Sequence, residues 1–403
     1  MFLTLDPREG PDLLNSGVMH NASAPASGPH LVDATLFYTP TSGGVRRYLL
    51  TKHEWLRRHS RVRHTLFVPG PVDAGEAGGL VEFASPHLRA GYRCPVRLPS
   101  LRRRLASLRP DLLEAGDPYL MAWQVVAVAD RLGIPAVAFC HSDIINLAET
   151  RFGRTAGRAT SAYLRSLYGH FDQVLAPSRI VAEHLEAAGI RPVALQPLGV
   201  DADVFLPDRR DPRLRERLGL SASTRLLCFA GRLAPEKNLP DLLKMADILG
   251  EPYHLLIVGG EEPLRLNPRV SVLPYEPEQR AVAAILGACD AFVHAGRQET
   301  FGLVAVEAMA CGLPVVAYPA GALEELVDRE VGALARTTTP AALAEAVHDL
   351  FDQDVALLAS AARRRVLERH SWDAAFGQLL RTYARLLSRS SLQVEELVLS
   401  RAA

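Results

Sequence analysis

A chain of 403 residues is longer than one hydrophobic core ordinarily supports, and its 48% hydrophobic content is enough for two domains of roughly 150 to 200 residues. Basic and acidic residues number 45 each, so bulk charge argues against a polyanionic partner such as nucleic acid. Five cysteines without CxxC spacing read as buried thiols of a reducing, cytoplasmic compartment. With no leader-like start and no apolar run of about 18 residues, any membrane contact is expected to be peripheral, on the inner face.

Residues 1–30 are polar and turn-rich and are expected to be poorly ordered. From residue 31 to 205 short apolar runs alternate with helical patterns: LVDATLFY, HTLFVPG, DLLEAG, PAVAFCH, QVLAPS and VALQPLGV. This alternation predicts a doubly wound parallel sheet covered on both faces. The polar, proline-bearing stretch at residues 201–219 is the expected linker. A second series over residues 206–370, RLLCFAGR, HLLIVGG, VSVLPY, AFVHAG and PVVAYP, predicts a second α/β domain, and residues 371–403 open with an amphipathic helix. Two Rossmann-like sheets of this kind face each other across a cleft, where ligands bind beyond the carboxyl ends of the strands.

Several charged or glycine-bearing positions fall at those strand ends. Gly43 and Gly44 follow the first strand at the mouth of a helix, with Arg46 and Arg47 in its first turn; the pair reads as a phosphate turn or as an ordinary helix start. Seven arginines between Arg89 and Arg109, including Arg102, Arg103 and Arg104 in SLRRRLASLRP, make a basic face that is either solvated surface or a contact for an anionic acceptor or lipid. His141 ends an apolar strand in FCHSD, in either a structural or a cleft role.

In the second series, Gly231 and Arg232 end a strand and Lys237 precedes a helix, so both cations lie at the sheet's carboxyl edge and suit a diphosphate. Gly259 and Gly260 end the next strand, in a turn or at a close approach to a ligand. In GRQETFGLVAVEAMACGLPVVAY, Glu299 precedes a helix that is apolar all round except for Glu307. A carboxylate buried on such a helix requires donors, which a ribose diol or an internal arginine supplies. The helix start at Phe301, Gly302 and Leu303 offers free N–H groups to a phosphate. No zinc spacing, GxSxG elbow or GxxxxGK[ST] loop is present.

Jointly, these segments resemble the retaining glycosyltransferase family 4 with the two-Rossmann GT-B fold, from about Leu31 to Leu387. The carriers are the E-x7-E pair Glu299 and Glu307, GRLAPEKN with Asn238 where the family usually has glycine, APSRIVAEHL and PLGVDADVF. The resemblance implies transfer of a hexosyl group, mannosyl or glucosyl favoured, from a GDP- or UDP-linked sugar to a hydroxyl of a glycan or glycolipid. It also implies retained anomeric configuration by front-face attack, no cofactor and no required metal. By position, Arg232 and Lys237 would hold the diphosphate, Glu307 the ribose and Glu299 the donor sugar. Phe301, Gly302 and Leu303 would lie by the distal phosphate, Gly44 near the diphosphate and His141 near the sugar. The last helix would cross back onto the first, acceptor-side domain. An epimerase of the same fold, or a sugar-nucleotide binder with a degenerate site, are the alternatives.

Overall fold

The computed structural model describes residues 28–38, 43–88 and 92–388. Most of the N-terminal segment expected to be poorly ordered, residues 1–27, lies outside the described residues, as do Arg89 and residues 389–403.

The first sheet contains β1 (His30–Ala34), β2 (Arg63–Gly70), β3 (Leu80–Ala84), β4 (Leu112–Ala115), β5 (Ala136–Phe139), β6 (Gln173–Ala176) and β7 (Val193–Leu195). All its strands are parallel, in the order β3-β2-β1-β4-β5-β6-β7. The second contains β8 (Arg225–Ala230), β9 (Tyr253–Gly260), β10 (Leu264–Asn267), β11 (Val270–Pro274), β12 (Ala291–His294), β13 (Val315–Ala317) and β14 (Gly332–Leu334). Its order is β10-β11-β9-β8-β12-β13-β14, with only β10 antiparallel to its neighbour. In each sheet the order reverses beside the first strand, at β1/β4 and at β8/β12. Such switch points open a crevice beyond the strand ends.

Each sheet is buried on both faces, so its strands read as continuous apolar runs. In the second sheet, Cys228, Leu256 and Phe292 face the helices Leu303–Ala310 and Val355–Arg369, while Phe229, Ile257 and Val293 face Leu239–Leu249 and Pro340–Phe351. In the first, Val32, Phe67 and Val174 take one side and Leu31, Leu66 and Leu175 the other. The final helix, Trp372–Ser388, covers that second side with Phe376, Leu379, Leu380 and Tyr383. The last described element therefore completes the core of the first sheet.

Beneath that helix lies a buried polar cluster that the sequence does not announce. Lys52, fully buried on the helix Gly43–His59, donates to Asp33 Oδ1 (2.9 Å), Glu114 Oε1 (2.9 Å) and Tyr383 Oη (2.7 Å). Tyr383 in turn donates to Glu114 Oε2. Burial pushes the Glu114 carboxyl up to about 7, whereas Lys52 and His64 outweigh burial at Asp33 and hold it below its ordinary range.

Strand ends are earlier than the apolar runs suggest. The run Leu31–Tyr38 leaves the sheet after Ala34, because buried Asp117 accepts from Leu36 N (2.6 Å) and Tyr119 N (3.1 Å) and ties the ends of β1 and β4 together. Strands β3, β10 and β14 are additional to the expected runs.

Candidate functional site

The switch point of the second sheet gathers Lys237, Glu299 and His294. β12 ends at His294, and the loop after it carries Glu299 back toward β8. Gly321 fixes this loop from below. Ala322 N donates to Glu299 O (2.8 Å), and a Cβ on Gly321, whose φ is +60°, would come within 2.7 Å of the same oxygen. Lys237 arrives on the turn Pro235–Lys237 and donates Nζ to Glu299 Oε2. His294 Nδ1 accepts from Gly296 N (3.0 Å), so Nε2 carries the proton of the neutral ring. That Nε2 lies 3.4 Å from Glu299 Oε2. Burial alone would raise the Glu299 carboxyl, but His294 and Lys237 bring it down to about 2. The result is a fixed carboxylate with an ammonium on one side and an imidazole N–H on the other.

Asn238 explains why this turn keeps its shape without glycine. Its φ is +52°, and its Nδ2 donates to Asp241 Oδ2 (2.5 Å). Among residues with a side chain, asparagine is one of the few that visit the left-handed region routinely.

Glu307 sits on the helix Leu303–Ala310, which is buried from Ala305 onward. Its Oε1 accepts from Arg47 Nη1 at 2.5 Å, with side-chain exposures of 6% for the glutamate and 30% for the arginine. The internal-arginine partner weighed from sequence therefore exists, and it comes from the opposite domain. Burial pushes Glu307 up to about 7, with Arg47 opposing. Gly302, with φ +85°, caps the helix start, where Leu323 and Leu326 pack closest to it.

Other expected residues are placed differently. Arg232 does not converge with Lys237: its guanidinium is 80% exposed and donates to Glu236 Oε1 at 2.8 Å. Gly259 is required by the backbone at Gly231. Both have φ above +130°, and a Cβ on Gly259 would lie 2.0 Å from Gly231 O, so this close approach is between two strands of the protein. On the first domain, Gly43 and Gly44 open the helix Gly43–His59, and a Cβ at Gly44 would meet nothing within 4 Å. His141 stacks on Phe139 with centroids 4.2 Å apart. Burial and then the Lys52 charge bring its ring down to about 3, and its Nε2 is buried without a hydrogen-bond partner among the described residues.

Two further contacts join the domains. Gln298 Nε2 donates to Thr150 Oγ1 (2.7 Å), and Glu325 accepts from Arg179 N (2.8 and 3.0 Å) at the start of the helix Arg179–Ala187. His294 and the pairing of Arg47 were not anticipated. The ending of β12 on a histidine was the only available hint of the first, and the position of Arg47 in a helix turn facing the cleft the only hint of the second.

Residues 211–366 match the family Glycosyl transferases group 1 and residues 42–204 match Glycosyltransferase Family 4. A GDP-mannose-dependent alpha-mannosyltransferase of Mycolicibacterium smegmatis is 34% identical over 298 residues, covering 72% of this chain and 77% of that protein. The chain belongs to glycosyltransferase family 4. Also similar is a GDP-mannose-dependent alpha-(1-6)-phosphatidylinositol dimannoside mannosyltransferase of Mycobacterium tuberculosis, 29% identical, with 87% of this chain and 95% of that one covered. The glycosyltransferase shares its fold with sucrose-phosphate synthase from Thermosynechococcus elongatus, with a TM-score of 0.73, 21% identity, and coverage of 90% of this chain and 100% of that one. It shares it also with Anabaena HepE in complex with UDP, with a TM-score of 0.69, 21% identity, and coverage of 89% and 100%. The two-sheet architecture of this family 4 enzyme is GT-B, and its substrate is a nucleotide sugar. Among the described residues no helix is long and apolar enough to cross a membrane.

Proposed function

We propose that this glycosyltransferase moves a mannosyl group from GDP-mannose, with retained configuration and without a metal, to a hydroxyl of a glycan or glycolipid. The observation that carries the reading is the Lys237–Glu299–His294 cluster at the β8/β12 switch point, where such folds bind nucleotides. Its second support is the GDP-mannose dependence printed for the relatives of this chain. The epimerase alternative finds no support among them.

Departure of GDP builds negative charge on the distal phosphate and positive charge on the anomeric carbon. Lys237, released from Glu299 by the donor, would meet the first charge, and the N–H groups of Gly302 and Leu303 would add to it. Arg232 is free to turn from Glu236 toward the same phosphates. Glu299 would bind sugar hydroxyls, and neutral His141, whose Nε2 has no hydrogen-bond partner among the described residues, would bind another. Glu307 would hold the ribose. In front-face attack the leaving phosphate itself takes the acceptor proton, so no side-chain nucleophile is required.

The acceptor side is assigned to the first domain. A groove of about 520 Å³ between the ends of β2 and β3 and the helix Leu98–Ser107 is lined by Arg93, Arg97 and Arg104. Arg104 pairs with Asp73 at 2.6 Å and Arg102 donates to Gln124 at 2.7 Å, and Arg97, Arg102, Arg103 and Arg109 are exposed. This favours a phosphate- or carboxylate-bearing acceptor, including an anionic glycolipid at a membrane surface.

The test is turnover with GDP-mannose, GDP-glucose, UDP-glucose and ADP-glucose against a glycolipid extract, with the product's anomeric configuration read by NMR. Transfer from GDP-mannose to an α-linked product is expected. A β-linked product would overturn retention, and preference for another donor would overturn the donor assignment.

A further inference from the structure

Among the described residues the Glu307 carboxylate has one polar partner, Arg47, and that partner reaches it from the other domain. The neighbouring Arg46 does something else, lying 5.4 Å from the ring centroid of Tyr38. We propose that Arg47 is a donor-exchanged latch: in the donor-free cleft its guanidinium stands on Glu307 in place of the ribose hydroxyls, and a nucleoside diphosphate displaces it and draws it onto the diphosphate. The inference rests on Glu307 being the ribose ligand.

A carboxylate this enclosed must be supplied with donors at all times, because an unpaired buried charge costs several kcal/mol. Burial already pushes Glu307 up to about 7, so the residue is held as a carboxylate only as well as its donors allow. A ribose diol and a guanidinium make the same offer of adjacent donors. Glu307 is enclosed by its own helix, leaving the cleft as the direction of approach, and Arg47 stands in that direction. Ribose and Arg47 therefore compete. The freed guanidinium remains near the start of a helix whose first residues are Gly43 and Gly44, with open space beside Gly44. A helix start carries a positive dipole end, so an anion arriving there finds both the dipole and the arginine.

This exchange makes the site selective for ligands that carry ribose and diphosphate together. A nucleoside breaks the latch and offers the arginine nothing in return. A nucleoside diphosphate breaks it and restores the ion pair elsewhere.

The experiment compares guanosine and GDP binding by calorimetry in wild type, Arg47→Ala and Arg47→Lys, with melting temperatures measured alongside. In Arg47→Ala, guanosine is expected to bind about tenfold more tightly and GDP about tenfold more weakly, each the equivalent of about 1.4 kcal/mol. The GDP-to-guanosine preference then falls about 100-fold, and Arg47→Lys, which keeps the charge, recovers most of it. A purely structural role moves both affinities the same way, so an unchanged preference in folded Arg47→Ala overturns the latch. If Arg47→Ala fails to fold, Arg47→Gln carries the same comparison. Absence of any nucleoside diphosphate binding by wild type would instead remove the donor-site reading, and the latch with it.

Discussion

At Lys237 the ammonium donates to Glu299, whose carboxyl is held down to about 2 and so stays a carboxylate at physiological pH. Removing one electrostatic donor aimed at a developing charge lowers turnover by about 10²-fold or more, which is the expectation for Lys237→Ala. Near-normal turnover would remove Lys237 from the diphosphate. Asn238 makes a backbone prediction at the next position: Asn238→Gly keeps the left-handed turn, whereas Asn238→Val forces a branched side chain into it and costs about 1–2 kcal/mol in denaturant unfolding. Glu307 gives a pH signature. Its folded pKa of about 7 lies above the ordinary 4.5, so between those values the native state holds the proton more tightly and stability falls as pH rises. Glu307→Gln removes that loss, and its melting temperature relative to wild type should rise from about pH 4.5 to about pH 7; a constant difference would contradict the assignment. Glu299 and Glu307 stood out in the sequence because they are charges in a small, apolar, glycine-punctuated segment, and Lys237 because it follows the end of an apolar strand. The partner of Glu307 was not, since a contact across 260 positions leaves no local trace. Gly259 was legible as a close approach, but the approaching backbone is Gly231.

Among the elements, the final helix has the largest structural task. It closes one face of the first sheet and delivers Tyr383 to the Lys52, Asp33 and Glu114 cluster. Removing one partner from a buried ion cluster leaves uncompensated charge, so Lys52→Met should cost about 3–5 kcal/mol of stability measured by denaturant unfolding. A loss below about 1 kcal/mol would mean that the cluster is already neutral or hydrated. The eleven strands expected from apolar runs were readable because parallel strands buried on both faces carry no polar alternation. β3 and β10 are edge strands whose exposed or charged residues break the apolar run. Run lengths overstate β1 because a hydrogen-bonded loop tied by Asp117 is as apolar as the strand before it.

Across the whole molecule, the alternation of strands and helices predicts two doubly wound sheets, but which charges meet over the cleft depends on how the domains face each other. Arg47 with Glu307, Gln298 with Thr150, and Arg179 N with Glu325 are polar contacts that join the two domains. With Lys237 and Arg232 available to the diphosphate, transfer should survive excess EDTA; complete loss restored by Mg²⁺ or Mn²⁺ would show that a hard cation, not these side chains, neutralises the leaving group. The central claim is that the donor binds at the β8/β12 switch point between Lys237 and Glu307. A crystal structure of the GDP complex tests it most directly. It should show phosphate oxygens within about 3 Å of Lys237 Nζ, both ribose hydroxyls on Glu307, and Arg47 turned away from that carboxylate. GDP bound elsewhere, or in the cleft with the Lys237–Glu299 and Arg47–Glu307 pairs intact, would contradict it.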